Sequence, residues 1–255
     1  MVLRQWLPND DGKSGFFIPD DMIPLSIAKP LFTTFWSLDL YDIFVPKSRY
    51  AIEINRLAKE EERLFTLKSR KVAPSEHHPF DSKAESELRR VTASIRRLKS
   101  DQTKQAEHFK YVKNKMFESL MKEFFPGTDS DASSSIRMKE FYTSCILPRC
   151  VFSPDDALFC AKFLLRLHSL NCPNFHTLAL FELIFSSIGG TLMAMTEEEA
   201  QNLAILVDEI WSVVVEWRFS GDFEKEIQPK VGFMLYFFAP FLFSKFPFPI
   251  LLMSN

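Results

Sequence analysis

Glycine is scarce in this chain, with 7 among 255 residues, and the sequence contains no glycine-based catalytic or phosphate-binding motif. The patterns G-x-x-x-x-G-K, G-x-G-x-x-G and G-x-S-x-G are absent, as is the zinc-protease pattern H-E-x-x-H. These absences remove the usual sequence signals of nucleotide-binding loops, serine hydrolases and zinc proteases. The sequence therefore predicts no catalysis, no cofactor and no metal site.

Cysteine is also sparse, because four residues are too few for a disulfide framework in a chain of this length. The N-terminal residues lack the basic-then-apolar pattern of a secretory signal. We therefore expect reduced thiols and a cytoplasmic or nuclear location.

The residues that are abundant favour helices. Hydrophobic residues make up 46% of the chain and charged residues 25%, which together with the shortage of glycine is typical of a helical protein. The predicted fold class is all-α, with a projecting antiparallel coiled-coil hairpin followed by α-solenoid-like stacked helices.

The hairpin is predicted from charge and periodicity. Residues 47 to 115 carry 18 Lys and Arg against 10 Asp and Glu, a net charge of +8, whereas the rest of the chain has a net charge of -10. Within this basic region a heptad seam recurs in steps of three and four residues. Its members are Leu88, Val91, Ile95, Leu98, Gln102, Gln105, Phe109, Val112 and Met116.

Two prolines separate this seam from a similar apolar repeat upstream. Pro74 and Pro79 lie in the segment VAPSEHHPFDS and are not expected inside a helix. The sequence therefore predicts two arms, near residues 48–71 and 82–123, joined by a polar tip. The two glutamines of the seam are expected to weaken the middle of the apolar stripe and to fix its register against a partner helix.

Five basic residues of the second arm are the candidate binding residues. The two arginine pairs are seven residues apart, so we expect them on one helical face beside the seam. This face has two interpretations: a solvated coiled-coil surface, or a contact surface for RNA or an acidic protein. The candidates are Arg89, Arg90, Arg96, Arg97 and Lys104.

Three further helices are predicted in the second half. The first is capped by Ser153, with Pro154, Asp155 and Asp156 in its first turn, and extends to about residue 170. An apolar second helix ends near Gly189–Gly190. A third begins at Thr196, where Glu199 completes a capping box.

The cysteines admit three interpretations: packing, a metal site and a catalytic thiol. The spacing of Cys145, Cys150, Cys160 and Cys172, even with His168 and His176, lacks the close pairs of a zinc finger. Packing is the favoured interpretation, since buried free cysteine behaves as a small hydrophobic residue. His77 and His78, with Glu76 and Asp81, are interpreted as part of a solvated tip.

The predicted division of the chain has five parts. They are an N-terminal loop and apolar helical segment (1–46), in which Phe35, Trp36 and Tyr41 pack against the body, the basic hairpin (47–124), a linker (125–135), a helical-repeat unit (136–230) and an apolar tail (231–255). The tail is long enough for a membrane span, but its prolines interrupt it. It is interpreted as a membrane anchor or as a poorly packed chain end.

Two segments carry a family resemblance. The first, TFWSLDLYDIFVPKSRY, precedes the hairpin, and the second, CILPRCVFSPDDALFCAKF, follows it. Together with TEEEA, VEWRFSGDFEKEI and PKVGF downstream, they resemble the largest, scaffold subunit of the THO complex over about residues 32 to 233. After Gly232 the tail no longer resembles the family.

The resemblance implies a central piece of a nuclear scaffold that acts in messenger RNA processing, particle assembly and export. It implies other THO subunits as partners, together with a DEAD-box RNA helicase, an export adaptor and messenger RNA. A membrane-tethered coiled-coil adaptor is the alternative. Insertion of the tail into membranes would favour the adaptor, whereas binding of THO subunits by the chain without its tail would favour the scaffold.

Overall fold

The computed structural model describes residues 23–70, 79–127 and 131–219. All regular secondary structure in these ranges is helical, so the all-α prediction is confirmed. The α-helices are α1 (Lys29–Ser37), α2 (Leu40–Ile43), α3 (Lys47–Arg70), α4 (Pro79–Val112), α5 (Asp131–Phe141), α6 (Leu147–Cys150), α7 (Pro154–Ser169), α8 (Thr177–Leu192) and α9 (Glu197–Phe219). Helical turns of π type span Lys113–Glu118 and Tyr142–Ile146, and a 3-10 turn spans Met121–Glu123.

Two predicted features lie outside the described residues. They are the hairpin tip with Glu76, His77 and His78, and the apolar tail of residues 231–255. Within the described ranges, none of the helices is both long and apolar enough to cross a bilayer.

Contacts along the chain define two units. The smaller unit, residues 44–112, contains α3 and α4, and the larger unit contains the described residues before 44 and after 112. Sequence periodicity placed the end of the second arm near residue 123, but α4 ends at Val112 and the π turn that follows it belongs to the larger unit.

Within the smaller unit, α3 and α4 pair in opposite directions. The Tyr50 hydroxyl, near the start of α3, donates to Oε1 of Gln105 at 3.1 Å, late in α4. Gln105 also donates from Nε2 to the Phe44 carbonyl at 3.1 Å. Farther along the pair, Thr92 donates to Glu61. The projecting, coiled-coil character of this pair stays a prediction.

Aromatic packing around Phe35 forms the centre of the larger unit. The Phe35 side chain is fully buried, and its ring makes edge contacts with Phe141, Phe159 and Phe163 at centroid separations of 5.6, 5.5 and 5.1 Å. Edge-to-face pairs of this kind add about 0.5–1.5 kcal/mol each beyond burial. Phe35 thus packs against the body as predicted, and Tyr41 remains 37% exposed.

The predicted helix starts in the second half are confirmed. Ser153 accepts the amide of Asp156 at the start of α7, and Thr196 and Glu199 form the reciprocal bonds of a capping box before α9. Helix α8 continues through Gly189 and Gly190 and ends two residues beyond them, at Leu192. Both glycines face open space, so no packing contact ends the helix there.

Helix α5 begins at Asp131, inside the segment predicted as a linker. Small polar residues there are poor helix formers, which is why the sequence favours a linker. Farther along, Met138 and Phe141 are buried in the larger unit. Tertiary packing of this apolar face outweighs the weak local propensity.

Gln105→Leu is expected to lower the free energy of unfolding of the full chain by about 1–2 kcal/mol, because a buried amide with two partners is lost. Gln102→Leu is the matched control, since Gln102 is only half-buried and makes no side-chain hydrogen bond among the described residues. Thermal unfolding followed by circular dichroism measures both. Equal destabilisation by the two substitutions would show that Gln105 does not set the pairing of α3 and α4.

Candidate functional site

The five predicted basic residues lie on one exposed face of α4. At about 100° per residue they fall within an arc of roughly 120°. All five are exposed: Arg89, Arg90, Arg96, Arg97 and Lys104. They lie opposite the buried seam rather than beside it, because Val91 and Gln105, which are 7% and 5% exposed, occupy the other side of the helix. We call this surface the basic face.

Two arginines of the basic face form exposed ion pairs. Arg89 lies 3.1 Å from Glu85, and Arg97 lies 3.8 Å from Asp101. The arginine side chains in these pairs are 80% and 85% exposed, so each pair adds little stability. Arg90, Arg96 and Lys104 form no ion pair with any described carboxylate.

A sixth residue of the basic face was missed from the sequence. Tyr111 follows Lys104 by seven residues, just as Lys104 follows Arg97 and Arg97 follows Arg90. Its side chain is 44% exposed. The seven-residue spacing was the available signal, but tyrosine is uncharged and so does not belong to the pattern of basic residues.

In the larger unit, Arg149 joins the two sequence segments that carry the family resemblance. Its guanidinium donates to the carbonyls of Phe35 and Leu38 at the end of α1, the second at 2.8 Å. On the other side it donates from Nε to Asp156 at 2.9 Å. The guanidinium carbon lies 3.6 Å from the centre of the Phe159 ring. With a side chain only 6% exposed, Arg149 is a buried charge whose donors are directed at acceptors of both segments.

Asp156 acts in this arrangement as well as in the helix cap. Its carboxylate accepts the Ser153 hydroxyl at 2.7 Å in addition to Arg149, while its amide donates to Ser153. Asp155 is exposed in the first turn of α7. The capping role predicted for the two acids is therefore incomplete, because Asp156 also neutralises a buried guanidinium.

The four cysteines are buried and unpaired by disulfides. Burial raises the pKa of Cys145, Cys150 and Cys172 to about 12 and holds the pKa of Cys160 well above its usual range. The thiols of Cys150 and Cys160 donate weakly to backbone carbonyls at 3.8 and 3.6 Å. Such thiols lack the thiolate needed for nucleophilic attack at neutral pH.

The histidines near these cysteines lie in different surroundings. His168 is buried, with Nδ1 2.9 Å from the Thr177 hydroxyl and its ring 4.7 Å from that of Trp217. His176 directly precedes α8. In the part of the chain that the structure describes, no three His, Cys, Asp or Glu residues are grouped to hold a metal ion.

A family model and several known relatives of this chain point to one family. A family model described as transcription factor/nuclear export subunit protein 2 (Tho2) matches residues 25–241. THO complex subunit 2 of Homo sapiens is 31% identical over 209 residues, which cover 82% of this chain and 12% of that protein. The Arabidopsis thaliana subunit is 32% identical over 217 residues (84% and 11%), and the Saccharomyces cerevisiae subunit is 27% identical over 240 residues (90% and 13%).

The chain belongs to the Tho2 family. It spans 11–13% of the length of these curated relatives. The family match reaches residue 241, so it includes the first part of the tail that the sequence motifs left outside the family. The nuclear location implied by the resemblance agrees with the family description of a nuclear export subunit.

Arg149→Met is expected to lower the free energy of unfolding by about 3 kcal/mol, because Asp156 and two carbonyls lose their buried donor. Arg149→Lys recovers little of this stability, since one ammonium cannot reproduce the planar fork of a guanidinium. Urea unfolding of the full chain measures both.

Lys162→Met is the matched control for Arg149→Met. It breaks the Lys162–Glu209 pair, whose side chains are 19% and 33% exposed, and is expected to change the stability by about 1 kcal/mol or less. Similar losses in the two variants would contradict the special role of Arg149.

Native alkylation of the cysteines is expected to be slow. With a pKa of about 12, a thiol at pH 8 is ionised in about one molecule in ten thousand. Iodoacetamide labelling followed by mass spectrometry measures this, and the urea-unfolded chain, in which all four cysteines react, is the control. Rapid native labelling of Cys150 or Cys160 would instead indicate an activated thiol.

The same burial predicts a loss of stability at alkaline pH. The unfolded thiols ionise near pH 9 while the folded ones stay neutral, so their contribution is complete below about pH 9 and is lost between about pH 9 and 12.

Proposed function

We propose that this chain is a non-catalytic scaffold element of the THO complex, acting in the nucleus in messenger RNA processing, particle assembly and export. Its partners are other THO subunits, with a DEAD-box RNA helicase and an export adaptor recruited through the assembled complex. Family membership supports the choice of complex. Because the chain spans a small part of its relatives, the partners of those whole proteins are part of the proposal.

The Arg149 arrangement is the observation that carries the scaffold role. The residues at the centre of the contact between the two motif segments, Phe35, Arg149 and Phe159, are buried, and Arg149 is paired with the half-buried Asp156, so the contact is an internal connection rather than a pocket open to a substrate. A connection of this kind fixes the relative positions of α1, α6 and α7. Fixed helices present surfaces to partners at a constant spacing, which is what a scaffold requires.

The environment of the thiols supports the absence of catalysis by this chain. An activated cysteine needs a lowered pKa and access to substrate. All four thiols are buried and have raised pKa values.

The scaffold role is tested by pulldown of the tagged full chain from nuclear extract, with and without ribonuclease. THO subunits are expected to remain bound after ribonuclease treatment, because the assembly is made by protein surfaces. Arg149→Met is expected to reduce their recovery at least several-fold, whereas Lys162→Met leaves it unchanged.

Two results would contradict this role. Recovery of THO subunits that is lost with ribonuclease would show that RNA, not this chain, bridges them. Absence of the subunits from both samples would show that the chain has no assembly surface of its own.

A further inference from the structure

A regular row of exposed side chains runs along the basic face of α4. Arg90, Arg97, Lys104 and Tyr111 recur every seven residues, so successive members are ~10.5 Å apart along the helix axis. Over these positions the row turns by only about 20° per step relative to a straight line. The four side chains therefore form one nearly straight track.

Small residues leave open space between the charges. Ala93 is exposed and lies three or four positions from each of Arg89, Arg90, Arg96 and Arg97, which makes these four its nearest neighbours on the helix surface. Ser100 is likewise exposed between the second arginine pair and Lys104. A polyanionic chain can approach the helix backbone at these two positions while the long basic side chains reach around it.

The acidic residues of the same face do not neutralise it. Glu85 and Asp101, whose side chains are 45% and 48% exposed, pair with Arg89 and Arg97. Glu107, between Lys104 and Tyr111, is exposed as well. Exposed pairs of this kind add little stability, so phosphate groups can replace the carboxylates as partners of the arginines at small cost.

Two features favour a nucleic acid over an acidic peptide. Regularly spaced positive charges match a ligand whose negative charges also repeat regularly, as phosphates do. The track also reaches an exposed aromatic ring, Tyr111, and single-stranded nucleic acids are bound by basic tracks combined with aromatic rings on which bases stack.

We infer that the basic face of α4 binds single-stranded RNA, with Arg89, Arg90, Arg96, Arg97 and Lys104 contacting phosphates and Tyr111 stacking on a base. The choice of RNA rests on the proposed function, whereas the contacts themselves rest on α4 alone. Binding of this kind is independent of sequence and strongly dependent on salt.

Binding of a fluorescein-labelled oligouridine to the purified full chain, followed by fluorescence anisotropy at several salt concentrations, tests the phosphate contacts. Arg90→Gln/Arg96→Gln/Arg97→Gln is expected to weaken binding at least tenfold at low salt. The slope of log K against log salt should fall by about 2, since each lost phosphate contact removes about 0.7.

A matched control removes the same charge from α3. Arg56, Lys59 and Arg63 are exposed there, and the variant Arg56→Gln/Lys59→Gln/Arg63→Gln is expected to keep most of the affinity. An equal loss in the two triple variants would overturn the inference, because binding would then depend on net charge and not on the basic face.

Substitutions of Tyr111 distinguish the contribution of base stacking to RNA binding from that of charge. Tyr111→Leu is expected to weaken binding about tenfold with no change in the salt slope, whereas Tyr111→Phe keeps the ring and the affinity. An unchanged affinity in Tyr111→Leu, together with equally tight binding of polyglutamate, would overturn the assignment to RNA in favour of an acidic protein.

A negative result in the RNA-binding experiment can be distinguished from a negative result in the pulldown that tests the scaffold role. No RNA binding by the purified chain at low salt would overturn this inference, while ribonuclease-resistant recovery of THO subunits would still support the scaffold.

Discussion

The larger unit depends on the burial of one guanidinium. Taking the charge of Arg149 out of water costs several kcal/mol, and this cost is offset only when its donors find acceptors. The two carbonyls at the end of α1 and the Asp156 carboxylate supply them, and the Phe159 ring lies against the flat face of the group. Separation of α1 from the larger unit would therefore leave the buried charge of Arg149 without two of its acceptors.

This constraint also connects two segments that lie far apart in the sequence. The acceptors on α1 and the arginine itself are separated by more than 110 positions along the chain. Because the acceptors are backbone carbonyls, what the first segment must provide is a helix end at the correct place, together with aromatic rings to surround the charge. Phe35 provides both, through its carbonyl and its ring.

Local signals in the sequence predicted much of the fold, whereas contacts distant in sequence were not predictable. The caps at Ser153 and Thr196 were found because a cap is decided within four residues. The hydrogen bonds from Arg149 to α1 could not be predicted from the sequence, because every residue has a main-chain carbonyl and residue type does not show which one accepts. Helix α5 was missed for a related reason: its stability comes from the burial of Met138 and Phe141, and its local composition disfavours a helix.

The seam and the basic face lie on opposite sides of α4, so one rotation of the helix about its axis sets the direction of both. A heptad seam fixes only which side of a helix is apolar, and a shift of one residue rotates the opposite face by about 100°. Gln105 lies in this seam, and its amide bonds to the Tyr50 hydroxyl and the Phe44 carbonyl hold the seam in place. Val91 and Val112 are buried on the same side of α4. Because this side is packed, the arginines on the opposite side of α4 are exposed.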